Sequence, residues 1–198
     1  MRVKPYDYWR CHHCEATFVD PSQLPDQSIE HAQYRRHRNE VYDADYRKFL
    51  ARLASPLLER LPVGLSGLDY GCGPGPALAA MLTEAGHRMA LYDPLFFDNP
   101  KVFDARYDFV TCTDVFEHFH HPFAEVARLD RLLKPGGCLA VMTAFLTDDT
   151  VFAGWHYRRD PTHVVFCREA TFRWIARHYH WHCEIPRINV ALLYKPVC

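Results

Sequence analysis

The run Leu68-Asp69-Tyr70-Gly71-Cys72-Gly73-Pro74-Gly75-Pro76 constrains this chain more than any other stretch. Hydrophobic residues and an acid lead into three glycines at alternate positions. Ala77 to Ala85 follows, built almost wholly from good helix formers. The pattern predicts a buried strand, a turn stripped of side chains and a helix. Glycines let a backbone come close to a ligand, and a helix N-terminus offers N–H groups that lack partners within the helix. An ordinary tight strand-to-helix connection has the same appearance, so the rest of the chain must decide.

Two features bear on it. A nicotinamide fingerprint, Gly-x-Gly-x-x-Gly, places its third glycine where Pro76 stands, whereas this chain reads Gly-x-Gly-x-Gly. The strand-like run Arg88 to Tyr92 then ends in Asp93 and Pro94. An acid at the tip of the second strand is placed to bind ribose hydroxyls. Asp69, Gly71, Gly73, Gly75 and Asp93 together resemble the cofactor motif of class I S-adenosylmethionine-dependent methyltransferases. That resemblance implies a Rossmann-like α/β fold, a twisted and mostly parallel sheet with helices on both faces. It also implies S-adenosyl-L-methionine as cofactor, held by Asp69, Gly71, Cys72, Gly73, Gly75, Asp93, Pro94 and Asp114.

Other segments agree. Tyr107 to Thr113 reads as the fourth strand, and Asp114-Val115-Phe116-Glu117-His118 after it resembles the Glu/Asp-x-x-Glu-His segment of small-molecule O-methyltransferases of the ubiquinone-biosynthesis type. On a helix, Asp114, Glu117 and His118 share one face. They suit acid–base chemistry or a divalent ion, or simply order the loop. Pro122 to Leu133 reads as a helix with Phe123, Val126, Leu129, Leu132 and Leu133 inward. Leu133-Lys134-Pro135-Gly136-Gly137 is a turn common at this place in the family. Asp160-Pro161-Thr162-His163 resembles an Asp-Pro-x-His element near the active site of related enzymes. It lies in a connection rich in aromatic, His and Arg residues, and such loops commonly carry sites. His163, His118 and Glu117 are therefore the candidate catalytic residues, histidine being poised near neutral pH. Trp155, His156, Tyr157 and Asp160 are candidates for the acceptor pocket.

Too few residues separate Asp93 from Asp108 for a helix, a strand and a second helix, so the third-strand edge of the sheet is abbreviated. Leu95-Phe96-Phe97 is read as covering the adenine instead. Asp43 to Arg60 reads as an amphipathic helix with a kink at Pro56. Thr171 to Tyr179 is a further helix, and Trp181 to Ile185 and Val190 to Tyr194 form an antiparallel tail.

Residues 43–198 thus form the methyltransferase domain and residues 1–42 an extension. Cys11-His12-His13-Cys14 is half of a zinc knuckle, and a structural zinc site needs four ligands. His31 and His37 are the candidates to complete it; a decayed half-site is the alternative. Arg35, Arg36 and Arg38 make a local basic patch, read as a solvated helix face, as a means of holding an anionic substrate or as a help in closing the cofactor site. Tyr34, His37 and Asn39 look like a Tyr-x-x-His-x-Asn segment that precedes the main domain in similar enzymes.

The formal net charge of -1 gives no general pull towards nucleic acid or anionic membrane. No apolar run approaches the length of a membrane span. The eight scattered cysteines are not spaced as a secreted disulfide framework, which favours a reducing cytoplasm. The expected function is methyl transfer from S-adenosyl-L-methionine to a small molecule, at oxygen or nitrogen. An RNA or protein methyltransferase, resting on the arginine patch, is the alternative from another class; a non-catalytic S-adenosylmethionine-binding protein is a third.

Overall fold

The computed structural model describes residues 1–35 and 40–197. His37 and Asn39, with Arg36 and Arg38 of the basic patch, lie outside the described residues. Three short strands come first: β1 (Arg2–Val3), β2 (Tyr6–Arg10) and β3 (Thr17–Val19). Helices α1 (Gln27–Tyr34) and α2 (Ala44–Leu58) follow. Strand and helix then alternate through β4 (Ser66–Tyr70), α3 (Ala77–Glu84), β5 (Arg88–Tyr92), β6 (Tyr107–Thr113), α4 (Pro122–Leu132) and β7 (Leu133–Met142). The chain closes with α5 (Asp149–Phe152), β8 (Val165–Phe166), α6 (Glu169–Tyr179), β9 (His182–Arg187) and β10 (Val190–Tyr194).

The main sheet has six strands in the order β5-β4-β6-β7-β10-β9. The first four run parallel, and β10 and β9 are antiparallel. This is the expected α/β architecture with its antiparallel tail. Only a loop and a 3₁₀ turn (Pro100–Asp104) connect β5 to β6, so β5 is the sheet's edge, as the short spacing required. Parallel strands covered on both faces must be apolar throughout, and Phe109, Val110, Cys112 and Leu139 to Val141 are fully buried.

Helix α2 starts at Asp43, whose carboxylate accepts the Tyr46 N–H at 2.6 Å. Its inner face buries Leu50, Leu53, Ala54 and Leu57. Pro56 falls in the last turn, and the Arg60 guanidinium donates to the Pro56 carbonyl at 2.7 Å. Helix α4 departs from expectation at Phe123, which is 62% exposed. That residue is the second of the helix and its one ring contact among the described residues is with His178, while Val126, Leu129 and Leu132 are the buried positions. Leu133 already belongs to β7. The Leu133–Gly137 stretch is strand rather than a separate turn: Tyr107 pairs with Leu133 and Phe109 with Cys138, so the extra residues bulge, with Gly136 at φ 76°.

The N-terminal segment is not packed as an appendage. Strand β3 pairs antiparallel with β8, giving a second sheet in the order β1-β2-β3-β8. Tyr8 and Val19 lie in the same apolar core as Leu68, Val110, Val141 and Phe172. The Arg158 guanidinium donates to the Tyr8 hydroxyl at 3.1 Å. A boundary between residues 42 and 43 therefore separates no two cores.

Candidate active site

A cavity of about 760 Å³ opens where β4, β5 and β6 end. This is the carboxyl edge of a parallel sheet, where ligands of open α/β folds bind. On one side stands the glycine turn. The N–H groups of Gly71 and Cys72 donate to the Tyr92 carbonyl at 2.7 and 3.1 Å, which laces the turn across the end of β5. Gly71 has φ 79° and Gly73 φ 64°, a region L-residues rarely adopt. A Cβ on Gly71 would lie 2.3 Å from Val115 Cγ2, so only a bare backbone fits there. The Asp93 carboxylate accepts from Gly73 N–H at 3.0 Å, from Leu95 N–H at 2.9 Å and from Phe96 N–H at 3.1 Å. Asp93 thus fixes both the glycine turn and the loop that walls the cavity with Pro94, Leu95 and Phe96. A side-chain-free cradle beside an acid at a strand tip fits the ribose and chain of S-adenosylmethionine. Asp114, whose backbone is left-handed (φ 50°), also lines the cavity. Reduced hydration at the base of the cleft, and then the charge of Glu117, raise the pKa of Asp114.

The same cavity is lined by Glu117 and His118, on a single 3₁₀ turn (Phe116–His118), and by Tyr157, Asp160 and His163 from the connection before β8. The Val164 N–H donates to the Glu117 carbonyl at 2.8 Å and holds the two segments together. Glu117 is fully buried. Its Oε1 accepts the Tyr157 hydroxyl proton in a very short hydrogen bond. Tyr157 has only that one proton, so the Thr143 hydroxyl, 2.9 Å away, donates to it. Burial pushes the Glu117 carboxyl up, against the nearby His163 and Tyr157. Burial, and then the neighbouring His118, push the His163 imidazole below its ordinary value. The His163 ring lies 4.1 Å from that of Tyr157 and 4.8 Å from that of His118, centroid to centroid. Asp160 accepts from both the backbone N–H and the hydroxyl of Thr162, at 2.9 and 2.6 Å. This turn sets the direction of His163.

Helix α1 closes the cavity. It buries none of its own residues, yet Gln27, Glu30, His31 and Tyr34 wall the space. Gln33 Nε2 donates to Asp160 at 2.7 Å, and Glu30 stands 2.9 Å from the His120 ring. The sequence reads this run as a solvated face or as a segment that helps close the cofactor site, and the second alternative fits its place. Tyr46 and Phe49 of α2 pack against the core, as their helical spacing implies, and also line the cavity.

Several expected site residues stand elsewhere. Asp69 is buried beneath the glycine turn, outside the cavity lining, and accepts the Thr111 hydroxyl at 2.7 Å. Burial pushes its pKa up to about 6. It braces the turn from below. Gly75 also lies off the cavity. Trp155 packs against Tyr157 from behind, with ring centroids 5.0 Å apart, and His156 points to solvent. Cys11 and Cys14 gain no third ligand among the described residues, and His31 faces the cavity rather than the thiols. Zinc at the N-terminus is therefore unsupported.

Comparison with known proteins agrees with this geometry. A family model described as a methyltransferase domain matches residues 34–184. The ubiquinone biosynthesis O-methyltransferase of Sodalis glossinidius is 32% identical over 73 residues, which cover 37% of this chain but only 29% of that protein. Among solved structures, a Burkholderia thailandensis 1,6-didemethyltoxoflavin-N1-methyltransferase, with bound 1,6-didemethyltoxoflavin and S-adenosylhomocysteine, superposes with a TM-score of 0.63 at 16% identity. The match covers 94% of this chain and 98% of that one. An O-methyltransferase family protein of the same organism gives 0.54 at 15% identity, covering 84% and 62%. These two show the same fold. The family match over most of the chain, the glycine cradle and the acid at the strand tip together place this protein in the methyltransferase-domain family, as a class I S-adenosylmethionine-dependent methyltransferase.

Proposed function

We propose that the protein methylates an oxygen or nitrogen of a small-molecule acceptor. The observation that carries this reading is a single cavity with two unlike ends, the bare cradle of Gly71 and Gly73 with Asp93, and the cluster of Glu117, His118 and His163. Bound at the first end, S-adenosyl-L-methionine supplies an electrophilic methyl group. The work left to the protein is alignment and removal of the acceptor's proton. Glu117, His118 and His163 are the groups that activate the acceptor. Tyr157 and Thr143 hold the Glu117 carboxylate, and Asp160 holds the His163 loop. The cover formed by α1 favours a small acceptor over a polymer, because Gln27, Glu30 and Tyr34 occupy the side a nucleic acid strand or peptide would cross. All the described cysteines are free thiols, which supports a cytoplasmic setting. No helix among the described residues is long and apolar enough to cross a membrane.

A thermal-shift screen of small hydroxyl and amine compounds, with S-adenosylhomocysteine present, tests the acceptor class. Hits are then assayed for methyl transfer. Transfer to a small hydroxyl or amine, slowed about 10²–10⁴-fold by His163→Ala with cofactor affinity unchanged, is the expected result. Transfer to tRNA or protein alone would contradict it.

A further inference from the structure

The abbreviated edge of the sheet borders a second concavity. A loop and the 3₁₀ turn Pro100–Asp104 stand where a helix, a strand and a further helix would otherwise link β5 to β6. Between that connection and α4 lies a cavity of about 490 Å³, a size usual for small-molecule sites. It shares Tyr92 and Arg128 with the larger cavity and none of its other lining residues.

The lining divides by chemistry. One part is apolar: Tyr92 and Phe103 meet edge-on with ring centroids 4.7 Å apart, beside Leu132. The other part is basic, with guanidiniums from Arg106, Arg128 and Arg131. Arg128 Nη1 donates to Glu125 at 2.9 Å and to the Tyr70 hydroxyl at 3.0 Å, and its guanidinium lies 5.6 Å from the Phe103 centroid. Its Nε and Nη2 donate to nothing among the described residues. Arg106 and Arg131 are exposed and make no hydrogen bond or ion pair among the described residues. Asp104 is the one carboxylate of the lining, and it pairs with none of the three. Arg131 stands in the last turn of α4, where positive charge suits the helix dipole. That accounts for one arginine only, since Arg106 lies outside any helix.

Two uncompensated guanidiniums and the free side of a third therefore line one concavity, where like charges repel. An anion relieves that repulsion. A phosphomonoester carries roughly two negative charges near neutral pH and three acceptor oxygens, and guanidinium forks match phosphate oxygens in pairs. A carboxylate offers a single charge and two oxygens, so one fork satisfies it. The apolar part of the lining suits an organic body, which inorganic phosphate lacks.

We propose that this second cavity binds the phosphate group of a phosphorylated small molecule. Arg106 and Arg131 hold the phosphate, Arg128 adds its free N–H groups, and Tyr92, Phe103 and Leu132 flank the organic part. The site stands apart from Glu117, His118 and His163 and does not depend on the methyl-transfer reading.

Full-length protein in phosphate-free buffer of low ionic strength is titrated calorimetrically with phenyl phosphate and, in parallel, with inorganic phosphate and with benzoate. Phenyl phosphate should bind at one equivalent, about tenfold more tightly than either of the others. Added salt should weaken it, because Arg106 and Arg131 are exposed. Arg106→Gln and Arg131→Gln should each weaken it about tenfold. Their melting temperatures and their binding of S-adenosylhomocysteine should stay those of the parent, since neither residue lines the larger cavity. Phenyl phosphate should still bind when S-adenosylhomocysteine is saturating. Absence of saturable binding would overturn the proposal, as would benzoate or inorganic phosphate bound as tightly as phenyl phosphate. Binding that neither variant alters would overturn it too. Exclusion of phenyl phosphate by S-adenosylhomocysteine would assign these residues to the cofactor site instead. Capture of a short RNA, with phenyl phosphate ignored, would also overturn the proposal and make this surface a nucleic-acid face.

Discussion

Gly71 and Val115 meet so closely that a single methyl group on Gly71 would lie 2.3 Å from Val115 Cγ2. The contact joins the turn after β4 to the loop after β6, and both segments line the cavity. It makes a specific demand on position 71. Gly71→Ala adds a clash and forces an L-residue to φ 79°. Its affinity for S-adenosylhomocysteine should fall at least tenfold, read by isothermal titration. Adding Val115→Ala relieves the clash but not the dihedral, so the double variant should recover only part of the loss. Full affinity in Gly71→Ala would remove the glycine turn from the cofactor site.

The N-terminal strands should prove inseparable from the enzyme. Tyr8 is 2% exposed, packs edge-on against Phe152 with centroids 4.9 Å apart, and receives a hydrogen bond from Arg158. Tyr8→Ala removes a buried aromatic and leaves the Arg158 donor unpaired. It should cost about 3–5 kcal/mol of unfolding free energy, measured by chemical denaturation. A deletion of residues 1–24 should not yield a cooperatively folding domain. A truncated chain with an unchanged melting temperature would show that the extension is a separable addition.

Asp69 offers a test by pH. Its carboxyl titrates near 4 in an unfolded chain and at about 6 in the fold, where burial disfavours the charge. The folded state therefore binds the proton more tightly. The contribution to stability is present in full below pH 4 and is lost as pH rises to 6, by about 2–3 kcal/mol. Asp69→Asn cannot ionise. The difference in unfolding free energy between this variant and the parent should shift in the variant's favour between pH 4 and 6, then level off. A difference that stays flat over that range would contradict a raised pKa at Asp69.

What was legible in the sequence was local. The glycine turn, the acid at the tip of β5 and the missing edge strand follow from spacing along a few dozen residues, and the structure has each of them. The N-terminal sheet was not legible. Its strands are two to five residues long, and β3 finds its partner in Val165–Phe166, far along the chain. No periodicity in so short a strand announces such a partner. Helical spacing named the apolar faces of α2 and α4, yet it cannot say where a face runs past the sheet. So Phe123 is exposed, and Tyr46 and Phe49 line the cavity as well as packing on the core. Asp69 shows the same limit at the site itself: motif position put it beside the cofactor, while the pleat of β4 turns it down onto Thr111. Trp155 and His156 lie in the right loop, but only the turn set by Asp160 decides which of its side chains enter the cavity. Tyr157, Asp160 and His163 do, and Trp155 and His156 do not.

The central claim is that the cradle of Gly71, Gly73 and Asp93 binds S-adenosylmethionine. Calorimetric titration of the full-length protein with S-adenosylhomocysteine and, in parallel, with NAD tests it most directly. The account predicts one S-adenosylhomocysteine site of micromolar strength and no heat from NAD. Asp93→Ala, which frees the Gly73, Leu95 and Phe96 N–H groups and removes the ribose acceptor, should weaken that site by about 1–3 kcal/mol. Binding of NAD, or S-adenosylhomocysteine binding indifferent to Asp93→Ala, would contradict the account.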